Sequence, residues 1–359
     1  MSVHGVTGLH EDLRTQRAFL EERVPVYGEL LDLLDRTLEG GPLDRLRRAW
    51  GDRTFGAWYA RPLLLLACLR DDALREGPTH PLYAHVVEGA PDVDPVSLQT
   101  ALAPERTHFW HSLARRHMQT NETTRAVAWL WPAHIIASAD PHASLALFDI
   151  GASAGLNLVA DALPAPWSRA DGAPFPLGPL PSIVSRTGFD LRPLDPRRPE
   201  AGRWLRACIW PGQTEREARL EAALDALRSL AGAPDEPVLH QARAADVPAH
   251  LPTDTTYEQR ALAFQTIMRD YLEASERDRY EEGMRRWLRG NPPGAALWVE
   301  LEVTSEAAGG GRPVAMTVHV RAPAGNLRSL VLAHCEPHPR ALEVDDDAAA
   351  MLAALVQRG

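Results

Sequence analysis

Leu145-Ala146-Leu147-Phe148-Asp149-Ile150-Gly151-Ala152-Ser153-Ala154-Gly155-Leu156-Asn157-Leu158-Val159-Ala160 is the stretch that decides the fold class. An apolar run ends in an acid, passes through a turn of small residues and continues into a helical pattern. That order predicts a strand over Leu145–Ile150, a Gly-rich turn, and a helix over Leu156–Leu163. Only small residues fit such a corner, and β-carbons at Gly151 and Gly155 would block close backbone approach to a ligand. Free N–H groups at the start of the following helix are expected to face an anion or polar ligand. The same letters, Gly151-Ala152-Ser153-Ala154-Gly155, also satisfy G-x-S-x-G, the turn that exposes a serine nucleophile for acyl chemistry.

Outward from this segment the pattern differs on the two sides. From Leu9 to about Ala139 apolar residues recur at three and four, as in Tyr27–Leu38 and Phe109–His117, with Gly40-Gly41-Pro42 and Gly77-Pro78 as punctuation. This predicts an all-helical domain over 1–140. From 141 to 345 strands alternate with helices, the signature of a layered α/β sheet. Strands are expected at Ser182–Leu191, Val238–Ala242 and Ala261–Thr266. Helices are expected at Glu200–Leu230, kinked or split by Pro211, and at Asp270–Arg289. Pro164–Pro181 reads as an irregular insertion. Ala296–Val303, Val314–Arg321 and Ser329–Cys335 read as a terminal strand with a closing antiparallel pair, and Ala307–Pro313 as a glycine hairpin loop. Asp345-Asp346-Asp347 can cap a last helix within 346–359.

Composition removes several functions. The chain has 359 residues, 45% hydrophobic, enough for a substantial core. Its formal charge of −10 argues against a broad DNA-binding face. All 38 basic side chains are arginine, so there is no Schiff-base lysine and no P-loop lysine. Cys68, Cys208 and Cys335 offer neither a disulfide framework nor a zinc-knuckle spacing, and no metal site is expected. The opening residues lack a secretory pattern and no run is long enough to span a bilayer, so a cytoplasmic protein with no membrane association is expected.

The strand order resembles the Rossmann-like sheet of S-adenosylmethionine-dependent methyltransferases, and Asp149-Ile150-Gly151-x-x-x-Gly155 looks like the first motif of those enzymes. In that motif an acid and glycines surround the cofactor's methionine and ribose. Here Ser153 stands where the richer motif has a third glycine, and no Asn/Asp-Pro-Pro-Tyr follows the fourth strand. The chain as a whole resembles the largely actinobacterial family called domain of unknown function 2332, from about Thr15 to Val344. The landmarks are Gln119-Thr120-Asn121-Glu122-x-x-Arg125, Gly151–Asn157, Gly188-Phe189-Asp190-Leu191-x-Pro193-Leu194-Asp195, Trp204–Pro211 with Gln213, and Tyr271-Leu272. Gln265 stands where relatives usually show histidine, and Pro339 where they have glycine.

These resemblances imply a transferase acting on a small molecule in bacterial secondary metabolism. S-adenosylmethionine would lie across Asp149, Gly151, Ser153, Gly155, Asn157 and Asp190. Asn121 and Arg125 would project from the helical domain to hold substrate, and Glu122 would orient or deprotonate the acceptor. Gln265, in the position of the family's histidine, is the remaining catalytic candidate. Two alternatives stay open. One is acyl or aminoacyl transfer from a thioester or aminoacyl-tRNA end, with Ser153 as nucleophile and His240, His319 or His338 as base. The other is a non-catalytic binding protein that has lost its chemistry with the histidine.

Overall fold

A computed structural model describes residues 3–304 and 312–357. The chain divides into two compact units, one of 1–120 with 196–220, the other of 121–195 with 221–359. Residues 196–220 break out of the α/β pattern to pack with the N-terminal unit, which no local signal in the sequence marked.

The first unit is built mainly of helices, among them Leu9–Leu20, Pro25–Thr37, Gly40–Trp50, Ala60–Glu76, Thr107–Arg115 and Pro199–Ala207. It is not all helical as expected. Two strands, β1 (Val3–His4) and β2 (Thr54–Phe55), pair antiparallel, and two residues each are too few to show as a periodicity. Its core holds Leu13, Leu30, Leu34, Leu65, Phe109 and Leu113. Arg61 is fully buried on Ala60–Glu76, where Asp12 and the carbonyl oxygens of Gly5 and Thr7 take its guanidinium protons.

The second unit contains β3 (Ser144–Ile150), β4 (Ser168–Arg169), β5 (Ser182–Asp190), β6 (Val238–Gln241), β7 (Gln259–Thr266), β8 (Ala296–Val303), β9 (Val314–Arg321), β10 (Leu327–Cys335) and β11 (Ala341–Val344). They form one mixed nine-stranded sheet in the order β4-β11-β10-β9-β8-β7-β3-β5-β6. β6, β5, β3, β7 and β8 run parallel, while β9, β10 and β11 continue antiparallel. The order therefore reverses at β3: the chain goes from β3 outward to β5 and β6, then returns to β7 and β8 on the other side. β4 and β11 are additions that the sequence reading did not contain.

Helices cover both faces, which is why β3, β7 and β8 read as nearly continuous apolar runs. On one face Leu145, Leu147, Leu262, Phe264, Leu297 and Val299 pack with Val127–Ala139 and with Asp346–Val356, capped as expected by Asp345. On the other Phe148, Ile150, Ala263 and Trp298 pack with Tyr280, Met284 and Trp287 of the helix Ala274–Gly290. The segment after the Gly-rich turn is a 3-10 helix, Leu156–Ala162, rather than an α-helix. Pro164 forces Leu163 into extended backbone and stops it after two turns. Pro211 does split its helical region, into Pro199–Ala207 and Thr214–Ser229. Most of the expected Ala307–Pro313 hairpin loop lies outside the described residues.

Candidate functional site

In open α/β sheets ligands lie beyond the carboxyl ends of the strands, where the strand order reverses. Here that is the end of β3, and it presents Asp149, then Gly151, Ser153 and Gly155, all three with positive φ (84°, 54° and 72°). Left-handed backbone at a serine is uncommon and costs energy, so it must be held from outside. The Ser153 N–H donates to Asp190 Oδ2 at 2.8 Å, and its hydroxyl accepts from Asn121 Nδ2 at 2.6 Å.

Within the turn itself several N–H groups are already bonded inside the protein. Gly151 and Ala152 N–H both donate to the Phe189 carbonyl, at 2.8 and 3.0 Å, and Gly155 N–H donates to Ala152 O at 2.7 Å. The glycines also serve packing. A β-carbon at Gly151 would meet Met268 Cγ at 2.8 Å, and one at Gly155 would meet Leu239 Cδ2 at 2.9 Å. The space the missing side chains leave is filled by the protein's own Met268 and Leu239. Packing against these two side chains is thus a reason of its own for glycine at both positions.

What the strand end does present is acid. Asp149 is 1% exposed, and its Oδ2 has no hydrogen-bond partner among the described residues. Burial, with Asp190 adding to it, pushes its carboxyl well above the ordinary carboxylate range. An orphaned buried carboxyl oxygen is costly and calls for a donor or a cation. Asp190, at the end of β5, takes one backbone N–H on each oxygen, from Ser153 and from Arg192 at 2.7 Å, and each oxygen keeps a second lone pair.

The Asn121–Arg125 motif belongs to the same unit as the sheet and does not project from the helical one. Asn121 holds Ser153. Glu122 is buried, its Oε1 accepting from Thr124 N–H at 3.3 Å and Thr124 Oγ1 at 2.9 Å, with His338 Nδ1 3.9 Å from Oε2. Arg125 donates from Nε to the Pro337 carbonyl at 2.9 Å. Asn157 uses its backbone carbonyl to accept from Trp129 Nε1 at 2.8 Å, while its side-chain oxygen is buried with no partner among the described residues.

Gln265 is not brought to Asp149. The alternation of β7 and β8 puts it on the face of Tyr280 and Trp298. Its amide oxygen accepts from the Tyr280 hydroxyl and from Trp298 Nε1, and its nitrogen donates to Glu302 at 2.9 Å and Glu300 at 3.3 Å. All of the amide is spent in this network. Glu302 also accepts from the N–H groups of Met268 and Arg269, fixing the turn whose Met268 covers Gly151. Burial raises its carboxyl from 4.5 to about 7.

Sequence reasoning missed Met268, Leu239 and Glu302, because apolar contacts and buried acids at strand ends have no spacing of their own. It also missed a cavity of about 380 Å³ beside β3, β5 and β6, walled by Phe148, Thr187, Phe189, His240 and His250. Both imidazoles stack on Phe189, with ring centroids 5.5 and 5.9 Å away. Among the described residues no group of three or more metal-ligating side chains gathers, and no helix is long and apolar enough to cross a membrane.

A family model described as an uncharacterized protein conserved in bacteria matches residues 11–344. The chain belongs to the DUF2332 family. No curated protein and no solved structure matches it. DUF2332 membership covers both units, so the Asn121–Arg125 motif and the Gly-rich turn fall within one family pattern.

Proposed function

We propose that this chain is a transferase of small molecules, built on a Rossmann-like methyltransferase sheet, that binds S-adenosylmethionine at the carboxyl ends of β3 and β5. The observation that carries the reading is the orphaned oxygen of Asp149 beside Asp190, at a turn where the N–H groups of Gly151, Ala152, Ser153 and Gly155 are already bonded. A dinucleotide or nucleoside triphosphate would bring phosphates to a turn where these four N–H groups are already taken and where Asp190 stands as an acid beside them. S-adenosylmethionine has no phosphate. It has a cationic sulfonium, an ammonium and a ribose diol, which are what a pair of acids at adjacent strand ends can take. The parallel order with β3 at its centre supports the same reading, and the Phe189–His240–His250 cavity offers aromatic faces for a purine.

When bound, the cofactor supplies an electrophilic methyl group. The chain's own part is positioning and charge. Asp149 takes a donor or cation that relieves its desolvation, and Asp190 orders the turn through Ser153 while keeping lone pairs for a diol. Asn121 fixes Ser153, and Glu122 with His338 forms the acid–imidazole pair on which an acceptor's proton is received. Calorimetric titration tests the reading, with NAD as the phosphate-bearing control. Micromolar binding of S-adenosylmethionine and none of NAD is expected, and the reverse preference overturns it.

A further inference from the structure

Three side chains on the antiparallel side of the sheet stand in an order that the S-adenosylmethionine reading does not use. In the ladder β8–β9–β10, His319 lies directly opposite Trp298 on one side and Ser329 on the other. Residues facing each other across an antiparallel pair share one face, so register alone brings these three side chains together. The imidazole stacks on the Trp298 ring at 4.4 Å. Its Nε2 is 2.7 Å from Glu300 Oε2 and its Nδ1 is 2.7 Å from Ser329 Oγ. Glu300, two residues along β8, is itself fixed at its other oxygen by Gln265 Nε2 at 3.3 Å, with Arg269 Nη1 at 3.9 Å. A carboxylate only accepts, so in the neutral imidazole Nε2 carries the proton, and the Ser329 hydroxyl donates to Nδ1.

Nucleophile, base and orienting acid thus stand at hydrogen-bond distances, with the base held flat by an aromatic ring and the acid held by its own partners. Ser329 is exposed, whereas the side chains of His319 and Glu300 are only 18% and 11% exposed. The reactive atom faces solvent and its support is mostly shielded. β10 pairs with β11 only through Ala333 and His334, so the strand around Ser329 is an edge on that side among the described residues. A reactant can reach it.

We propose that Ser329, with His319 as general base and Glu300 as positioning residue, is an acyl-accepting serine that reacts with activated esters. Ser329 Oγ bonds to the acyl carbon as its proton passes to His319 Nδ1. The acyl–oxygen bond breaks, and the leaving alkoxide takes that proton. Water then attacks the acyl-serine by the same route, releasing the carboxylic acid and restoring the hydroxyl. Ser329 sits within a strand and not on a turn of free N–H groups, so the donor must bring a good leaving group, and ordinary amides are not substrates.

The test is labelling of the full-length folded protein with a fluorophosphonate, in which Ser329 Oγ bonds to phosphorus and fluoride and the proton depart as HF. Intact-mass and peptide mapping should place one adduct on Ser329 of the native protein and none on the urea-unfolded protein. Ser329→Ala should abolish that adduct, and His319→Gln should slow it by about 100-fold. Glu300→Gln should slow it by at least about 10-fold, and Glu300→Asp, which keeps the carboxylate, should recover part of that rate. A native protein that gives no adduct, or one on another residue such as Ser153, overturns the proposal, as does labelling of Ser329 at an unchanged rate in a folded His319→Gln variant.

Discussion

At the scale of single residues, the Gly-rich turn shows how one motif satisfies two demands. Gly151 and Gly155 adopt positive φ, as a tight strand-to-helix corner requires, but the room they leave is taken by Met268 and Leu239. Gly151→Ala therefore adds left-handed strain and a contact of 2.8 Å with Met268 Cγ. It should cost about 2 kcal/mol of stability, measured by urea denaturation. An unchanged midpoint would mean that the turn relaxes freely. Ser153 meets a similar conformational demand with a side chain present, and the hydrogen bonds from Asn121 and to Asp190 are what hold it. Asn121 therefore acts on the turn through Ser153, and Arg125 through the Pro337 carbonyl.

At the scale of elements, the strands were the most legible part. β3, β5, β6, β7, β8 and β9 each lie within a residue or two of the runs read from the sequence, and for β3, β7, β8 and β9 the reason is burial, which leaves apolar runs that are easily read. β4 and β11 were not legible: two and four residues long, they are defined by pairing, β4 with β11 and β11 also with β10, and not by composition. Of the site, the sequence marked Asp149, Ser153, Asp190 and Asn121, which do converge. It did not show that Gln265 faces away from them, since this depends on the register of β7 against β8. The turn after β7 carries its own test. Glu302, held by burial at about 7 against an ordinary 4.5, anchors Met268 and Arg269. Between those values the folded protein keeps a proton that the unfolded chain has lost. Its contribution is thus full below about pH 4.5 and falls away as pH rises through about 7. Glu302→Gln should flatten this part of the stability–pH curve in thermal melts, and a curve parallel to the wild type's would contradict the assignment.

At the scale of the whole molecule, composition bounds the chemistry and burial organises it. With arginine as the only strongly basic side chain, buried cationic ties are all guanidinium, and Arg260 is the clearest case. It is fully buried at the start of β7, donating to Asp140 at 3.1 Å, Gly294 O at 3.0 Å and Val356 O at 2.7 Å. One side chain thus joins the sheet to the end of Val127–Ala139 and to the C-terminal helix. Arg260→Ala leaves Asp140 buried without this partner, so it should lose about 3 kcal/mol or more, read as a shift in denaturation midpoint, while a near-neutral effect would show that the tie is redundant. The acids at the carboxyl ends of β3 and β5 work in the opposite sense. A buried carboxyl oxygen without a partner, as at Asp149, costs stability, and on the proposed reading the ligand supplies the missing partner. The measurement that tests this most directly is calorimetric titration of wild type and Asp149→Asn with S-adenosylmethionine, alongside the thermal midpoint of each without ligand at neutral pH. The account predicts micromolar binding by the wild type, its loss in the variant, and a higher unliganded midpoint for the variant. Absence of binding by the folded wild type, or equal binding by both proteins, would contradict it.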